Sequence, residues 1–306
     1  MTISCSCPKC GRVCGFKDPY AGRRARCLSC QTRFVIPAAD GEPAVVVPDA
    51  PAGPLPGFYA AVLKENARAL LQPESLQGII LLITLTCFHF FIGDKDYSVS
   101  LPGFRLPLFV GWVVTGITGG YLLWYYIETI NETAFGCDTL PDIFSGGGFA
   151  FVGEAVKSVY FFAVAFAIAL VPAFVVINLL NFVGVAWAPI EIAVVVICLT
   201  SAPLVVSMLA LGIAPWMLFR FDRMAVIIAK TAGPYFLTAA VTLTAILFVF
   251  LTAGFFATGD RNAPPAWLML TARIAAVFTA LIAMRTIGFY ARHYFPMFPE
   301  LKPPEY

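Results

Sequence analysis

Residues 155–183 read AVKSVYFFAVAFAIALVPAFVVINLLNFV, an apolar run that carries a single charge, Lys157. A helix rises about 1.5 Å per residue, so roughly 20 predominantly apolar residues cross ~30 Å of hydrocarbon. Residues 155–183 are long enough. Five further stretches read the same way, roughly 76–93, 106–130, 187–218, 234–257 and 266–291, the first of them near the minimum length. The fourth is over-long and contains Pro203 and Pro215, so a kink or break is expected there; Pro172 sits inside the third. Composition agrees. Of 306 residues, 59% are hydrophobic and 12% charged, and mean hydropathy is +0.83. A soluble domain carries about a quarter charged residues. The fold class expected is therefore an all-α polytopic membrane protein with about six transmembrane helices.

The N-terminus is different in kind. Six of the nine cysteines, Cys5, Cys7, Cys10, Cys14, Cys27 and Cys30, fall in the first thirty residues. Cys7 with Cys10 and Cys27 with Cys30 form two C-x2-C pairs separated by sixteen residues, the spacing of a four-cysteine zinc site. Each pair makes a tight turn that aims two thiolates at one point, and two such turns complete a tetrahedron around Zn²⁺. So short a segment buries too little for a self-sufficient core, and the metal would supply the folding energy. The competing readings are a disulfide-rich extracellular knot or a redox C-x-x-C. A terminus built of Cys, Lys and Arg lacks the apolar core of a signal peptide, which argues against the first and predicts an uncleaved N-terminus. No βαβ context surrounds the pairs, which argues against the second. Cys5 and Cys14 are extra, either spare thiols or alternative ligands.

The run Cys-Pro-Lys-Cys-Gly-Arg at 7–12, then Asp18-Pro19-Tyr20-Ala21-Gly22-Arg23-Arg24-Ala25-Arg26-Cys27-Leu28-Ser29-Cys30, then Phe34-Val35-Ile36-Pro37, resembles a short bacterial zinc-ribbon module found ahead of membrane or signalling domains. It departs from that module at Gln31, Cys5 and Cys14. The resemblance covers residues 3–37 and implies a small β-hairpin ribbon, with no single activity. The ribbon is basic, at about +4 with four thiolates and zinc counted. Arg23, Arg24 and Arg26 stand together in it. Such a surface suits an acidic protein, anionic lipid headgroups or, less favoured, nucleic acid.

The segmentation that follows is a zinc ribbon at 1–37 and a Pro/Ala-rich linker at 38–56. An amphipathic interfacial helix at 57–75, six transmembrane helices within 76–293 and a cytosolic tail at 294–306 complete it. Orientation comes from Lys and Arg in the flanks. With the N-terminus inside, Lys64, Arg68, Lys157, Arg220, Arg223, Lys230, Arg292 and Lys302 are internal, against Lys95, Arg105 and Arg261 outside. The bias favours a multi-pass protein of the cell (inner) membrane with both termini cytoplasmic, which also keeps the ribbon in a reducing compartment.

Few side chains within the spans carry chemistry. Arg273 and Arg285 lie in the sixth stretch, and a charge in a bilayer wants a partner. Glu191 at the start of the fourth could reach Arg273. Arg285 has no obvious carboxylate within the bilayer and lies near the inner end, where it can snorkel. His89 and Cys87 in the first stretch, and Asn178 and Asn181 in the third, are the other polar insertions. Gly116 and Gly120 form a G-x-x-x-G that permits close helix approach. Glu128, Glu132, Asp138, Asp142 and Glu154 make an acidic segment without Lys or Arg, a solvated loop, a cation site or a docking surface for the ribbon arginines. Gly120-Tyr121-Leu122-Leu123, Glu128, Asp138-Thr139-Leu140-Pro141-Asp142 and Gly153 together resemble a bacterial and archaeal multi-spanning family of unknown function, which implies no activity. No protease, hydrolase or nucleotide-binding motif occurs, so no enzyme is expected. Two functions remain. One is a non-enzymatic interaction or sensory module at the cytosolic membrane face, with zinc as cofactor. The other is a transporter or channel-like permease using Arg273, Arg285 and the kinked fourth helix.

Overall fold

Two antiparallel hairpins open the chain. Strand β1 (Thr2–Ser6) pairs with β2 (Val13–Lys17), with Ser6 opposite Val13. Strand β3 (Arg24–Arg26) pairs with β4 (Arg33–Val35), with Arg26 opposite Arg33. The computed structural model describes residues 2–7, 11, 13–17, 24–26, 33–37, 45–46, 53–93, 99–101, 104–106, 110–137, 139–142, 148–184, 187–213, 215–254, 265–298 and 301. It divides the chain into two compact units, Met1–Pro54 with Pro296–Tyr306, and Leu55–Phe295.

In the first unit, Phe34 and Ile36 are fully buried, as expected of a core this small. Strand β5 (Val45–Val46) joins the edge of β4, so the sheet takes in two residues that the sequence assigned to the linker. Both belong to a β-branched triplet, Val45-Val46-Val47, set among prolines, and valine pairs well on a pleated edge.

The second unit is helical. Helix α1 covers 58–71, with a π-helical turn at Ala61–Glu65. Helix α2 (Leu76–Phe88) continues through a π turn, His89–Gly93. A hairpin of β6 (Val99–Leu101) and β7 (Phe104–Leu106) leads to α3 (Val110–Phe135). Then come α4 (Gly148–Phe182), α5 (Ala188–Leu199) and α6 (Ala202–Ala210). Finally there are α7 (Phe221–Lys230), α8 (Ala232–Gly254) and α9 (Ala266–Tyr294).

Among the described residues, five helical segments are long and apolar enough to cross a membrane: Pro73–Gly93, Val152–Phe182, Ala188–Ala210, Ala232–Thr252 and Ala266–Met297. The chain is a multi-pass membrane protein in contact with the lipid bilayer. Helix α3 matches the remaining expected stretch in length but is not among the five; its glycines, threonines, tyrosines and two glutamates dilute its apolar content. The over-long fourth stretch resolves into α5 and α6, broken at Thr200–Ser201 just ahead of Pro203, which has no N–H to donate to the Leu199 carbonyl. It ends at Gly212, whose φ of 65° lets the Ile213 N–H return to the Met208 carbonyl at 2.9 Å. Pro215 then opens a separate 3-10 turn, Pro215–Phe219.

Polarity across the bundle runs opposite to that of a soluble protein. Trp112, Phe174, Phe182 and Phe250 point outward, while Thr118, Thr129, Ser207, Thr238 and Thr242 are buried. The buried hydroxyls bond carbonyls three or four residues back, for example Thr129 to Tyr125 at 2.7 Å and Thr242 to Thr238 at 2.8 Å. That satisfies each of these five hydroxyls within its own helix, as a hydrocarbon solvent requires.

Candidate functional site

Helix α9 packs against α3 and α8, and its C-terminal half is almost entirely buried. The approach to α3 depends on Gly288. A Cβ there would stand 2.6 Å from Thr133 Cβ and 2.9 Å from the Ile130 carbonyl oxygen. Farther along the pair, the Tyr126 hydroxyl donates to the Val277 carbonyl at 3.2 Å, so α3 and α9 run parallel. Helix α2 runs antiparallel beside α3, with Gly78 against the Tyr125 hydroxyl and Gly93 near Thr115.

This packing places Arg285 of α9 in the interior, at 1% exposure. Its Nε donates to Asn66 Oδ1 of α1 at 3.3 Å, and its Nη1 to the Thr139 carbonyl at 3.0 Å. The guanidinium carbon stands 5.5 Å from the Phe289 ring centre. Asn66 is itself buried; its Nδ2 donates to the Val62 carbonyl at 2.9 Å and to Thr286 Oγ1 at 3.3 Å. Half-buried Glu132 lies within electrostatic reach of Arg285, Glu128 and Asp142. The loop that caps the cluster is reached because Gly136 ends α3 with φ 95°. There the Cys137 N–H returns to the Glu132 carbonyl at 2.9 Å and the Gly136 N–H to Thr133 at 3.2 Å. The chain then folds back. The Leu140 N–H donates to Ser75 Oγ at 3.2 Å, and the Tyr125 hydroxyl to the Pro141 carbonyl at 3.3 Å.

Arg285 thus departs from the expectation that it snorkels. Among its described partners are neutral oxygens from α1 and the 139–142 loop, with Glu132 nearby. Arg273, half-buried on α9, also departs from expectation. Its Nη1 bonds His89 Nδ1 at 2.9 Å rather than Glu191, and its guanidinium carbon stands 5.9 Å from the Phe90 ring centre. A guanidinium only donates, so His89 Nδ1 accepts and Nε2 carries the ring proton. Glu191, in the first turn of α5, forms no ion pair among the described residues. Of the two glycines on α3, Gly120 meets Ala155 of α4, where a Cβ would come within 2.9 Å of the alanine Cβ; Gly116 has no neighbour within 4 Å. An apolar depression with about 160 Å³ of empty volume is lined by Ile127, Phe161, Phe162, Val206, Leu209 and Ala210, and neither arginine reaches it.

In the first unit, Cys7 is buried just after β1, and the Gly11 N–H, at φ 71°, returns to the Cys7 carbonyl at 2.9 Å. Cys10 falls within that tight turn by sequence, and Cys27 and Cys30 fall in the connection between β3 and β4. Those three residues, with Arg23 and Asp138, lie outside the described residues. Arg24 and Arg26 are two apart on β3. Cys5 is buried and stands opposite Cys14 in the β1–β2 register. Asp142 is exposed, and Glu128, one turn before Glu132, is half-buried.

The buried cluster had weak signals in the sequence. Asn66 was one polar residue in an amphipathic pattern, and the Thr139 and Pro141 contributions are backbone carbonyls, which any residue supplies. Gly78 and Gly288, each isolated in an apolar helix, were the signals available. No protein-family model, curated protein or solved structure matches the chain.

Proposed function

We propose that the chain is a membrane-anchored zinc-ribbon protein. Its ribbon recruits or senses a partner at the cytosolic membrane face, and its helical bundle serves as a packed anchor rather than a catalyst or conduit. The observation that carries the reading is the pairing of the short strands. Each C-x2-C pair falls in the connection of an antiparallel hairpin, Cys7 and Cys10 between β1 and β2, Cys27 and Cys30 between β3 and β4. Two such turns are what a four-thiolate site is built from. Gly11 supports it further, because its positive φ and its bond to the Cys7 carbonyl curl the first turn tightly. The buried Cys7 thiol fits a ligand. Zinc held by Cys7, Cys10, Cys27 and Cys30 would supply folding energy to so short a segment.

The anchor half rests on Arg285 and Arg273. Arg285 is buried among Asn66, Thr139 and Phe289, and Arg273 is engaged with His89, so both are tied into packing. That favours an anchor over a permease. Six crossings, with both termini cytosolic, draw support from α3. It lies beside α2 from Gly78 to Gly93 and parallel to α9, as a crossing helix would.

The test is metal analysis of the purified full-length chain. One zinc per chain is expected, falling to none in Cys27→Ser/Cys30→Ser. Absence of zinc from the wild type, or its retention in the double variant, overturns the reading.

A further inference from the structure

We infer that the connector between the spans Ala188–Ala210 and Ala232–Thr252 is a binding site for anionic phospholipid headgroups, formed by Arg220, Arg223 and Lys230 with Trp216 and Phe219 as interfacial anchors. Consecutive spans joined by a short connector both end at one membrane face, so residues 211–231 lie at that face. A two- to eight-residue turn would suffice to join two helices. This chain instead builds the 3-10 turn Pro215–Phe219 and the helix α7.

Helix α7 is two-sided. Met224 and Ile227 are each 3% exposed and face the bundle, followed by buried Thr231. The other side carries Arg223, Val226 and Lys230, spaced three and four residues apart and all exposed. Just ahead of it, Trp216 is 70% exposed, Phe219 68% and Phe221 52%. Large apolar groups interleaved with cations suit neither water nor hydrocarbon. They suit the headgroup layer, where indole and phenyl rings settle and long basic side chains reach phosphates.

The charges are organised as well. Asp222 Oδ2 lies 3.2 Å from Arg220 Nη2 and 3.7 Å from Arg223 Nε, so one carboxylate holds two guanidinium groups side by side. Desolvation would raise that carboxyl. The Arg220 hydrogen bond, the Arg223 backbone and both guanidinium charges outweigh it and hold Asp222 below its ordinary value. By sequence the connector 211–231 carries three cations, Arg220, Arg223 and Lys230, and one carboxylate, Asp222, a net +2. A phosphodiester with an uncharged headgroup is a net anion and complements that excess; a zwitterionic choline headgroup brings its own cation and does not.

The inference is independent of the ribbon. The test uses the full chain reconstituted in bilayers of phosphatidylcholine with a minor share of phosphatidylglycerol, with bromine on the acyl chains of one lipid or the other. The Trp216 contribution is the difference in quenching between the wild type and Trp216→Phe. Two net charges predict enrichment of the anionic lipid around Trp216 on the order of tenfold over its bulk share. Arg220→Gln/Arg223→Gln/Lys230→Gln should return it to the bulk ratio. Equal quenching by the two lipids in wild type, or a preference retained in the triple variant, overturns the site. Should the triple variant fail to insert, salt on the wild type decides. The preference must fall between about 50 and about 500 mM salt, and one that does not change overturns the inference.

Discussion

Replacing Arg285 with leucine is the sharpest probe of the bundle. The substitution removes the bonds to Asn66 Oδ1 and the Thr139 carbonyl, and the cation that faces Glu132. Hydrogen bonds to a charged group contribute about 1.5–3 kcal/mol each. The two together contribute about 3–6 kcal/mol. Part of that returns, because leucine needs no desolvation and Asn66 keeps its bonds to Val62 and Thr286. The expected loss is about 3 kcal/mol, on the order of 6–12 °C in the midpoint of a bundle of this size. Arg273→Leu is the internal control. Arg273 is half-buried, so water offsets part of the loss of its bond to His89, and its removal should cost about 1 kcal/mol. Arg285→Lys should recover little, since an ammonium cannot fork between Asn66 and Thr139 as the guanidinium does. Thermal unfolding in mild detergent, followed by intrinsic fluorescence, ranks the three variants. A double-mutant cycle of Arg285→Leu with Asn66→Leu should show a coupling above about 0.5 kcal/mol. If Arg285→Leu is no worse than Arg273→Leu and uncoupled from Asn66, the buried cluster does not hold this end of the bundle together.

Gly288→Val should destabilise by about 2–3 kcal/mol, because the Ile130 carbonyl belongs to a helix backbone and cannot swing aside. Gly116→Val, with no neighbour within 4 Å, should be near neutral in the same unfolding assay. Reporters fused at the two ends of the chain should both read cytosolic, and one inserted near Arg261 should read external. Opposite readings at the two ends would mean that α3 does not cross.

The transmembrane helices were legible because a bilayer asks only for length and apolarity, which 155–183 and 266–291 display without any alignment of partners. Helix α3 shows the limit of that rule. Its Gly120, Tyr121, Tyr125 and Tyr126 lower its apolar content because α3 packs against α2, α4 and α9, and close packing favours small residues and aromatics over leucine. A residue four positions from another shares its face, but nothing in the spacing says which way that face points. Gly116 and Gly120 looked equivalent, yet one faces open space and the other Ala155. The partners of the arginines were hidden for a different reason. Two of the acceptors around Arg285 carry no net charge, an amide 219 residues away and a backbone carbonyl freed by the turn after Gly136, and Arg273 meets an imidazole. In a low-dielectric interior a guanidinium needs its five donors directed at acceptors as much as it needs an opposite charge. Carbonyls at helix ends and turns supply acceptors without bringing a second ion that must itself be desolvated. That solution depends on where α3 stops and how the 139–142 loop returns, which is tertiary information, so it left no pattern of residue types to read.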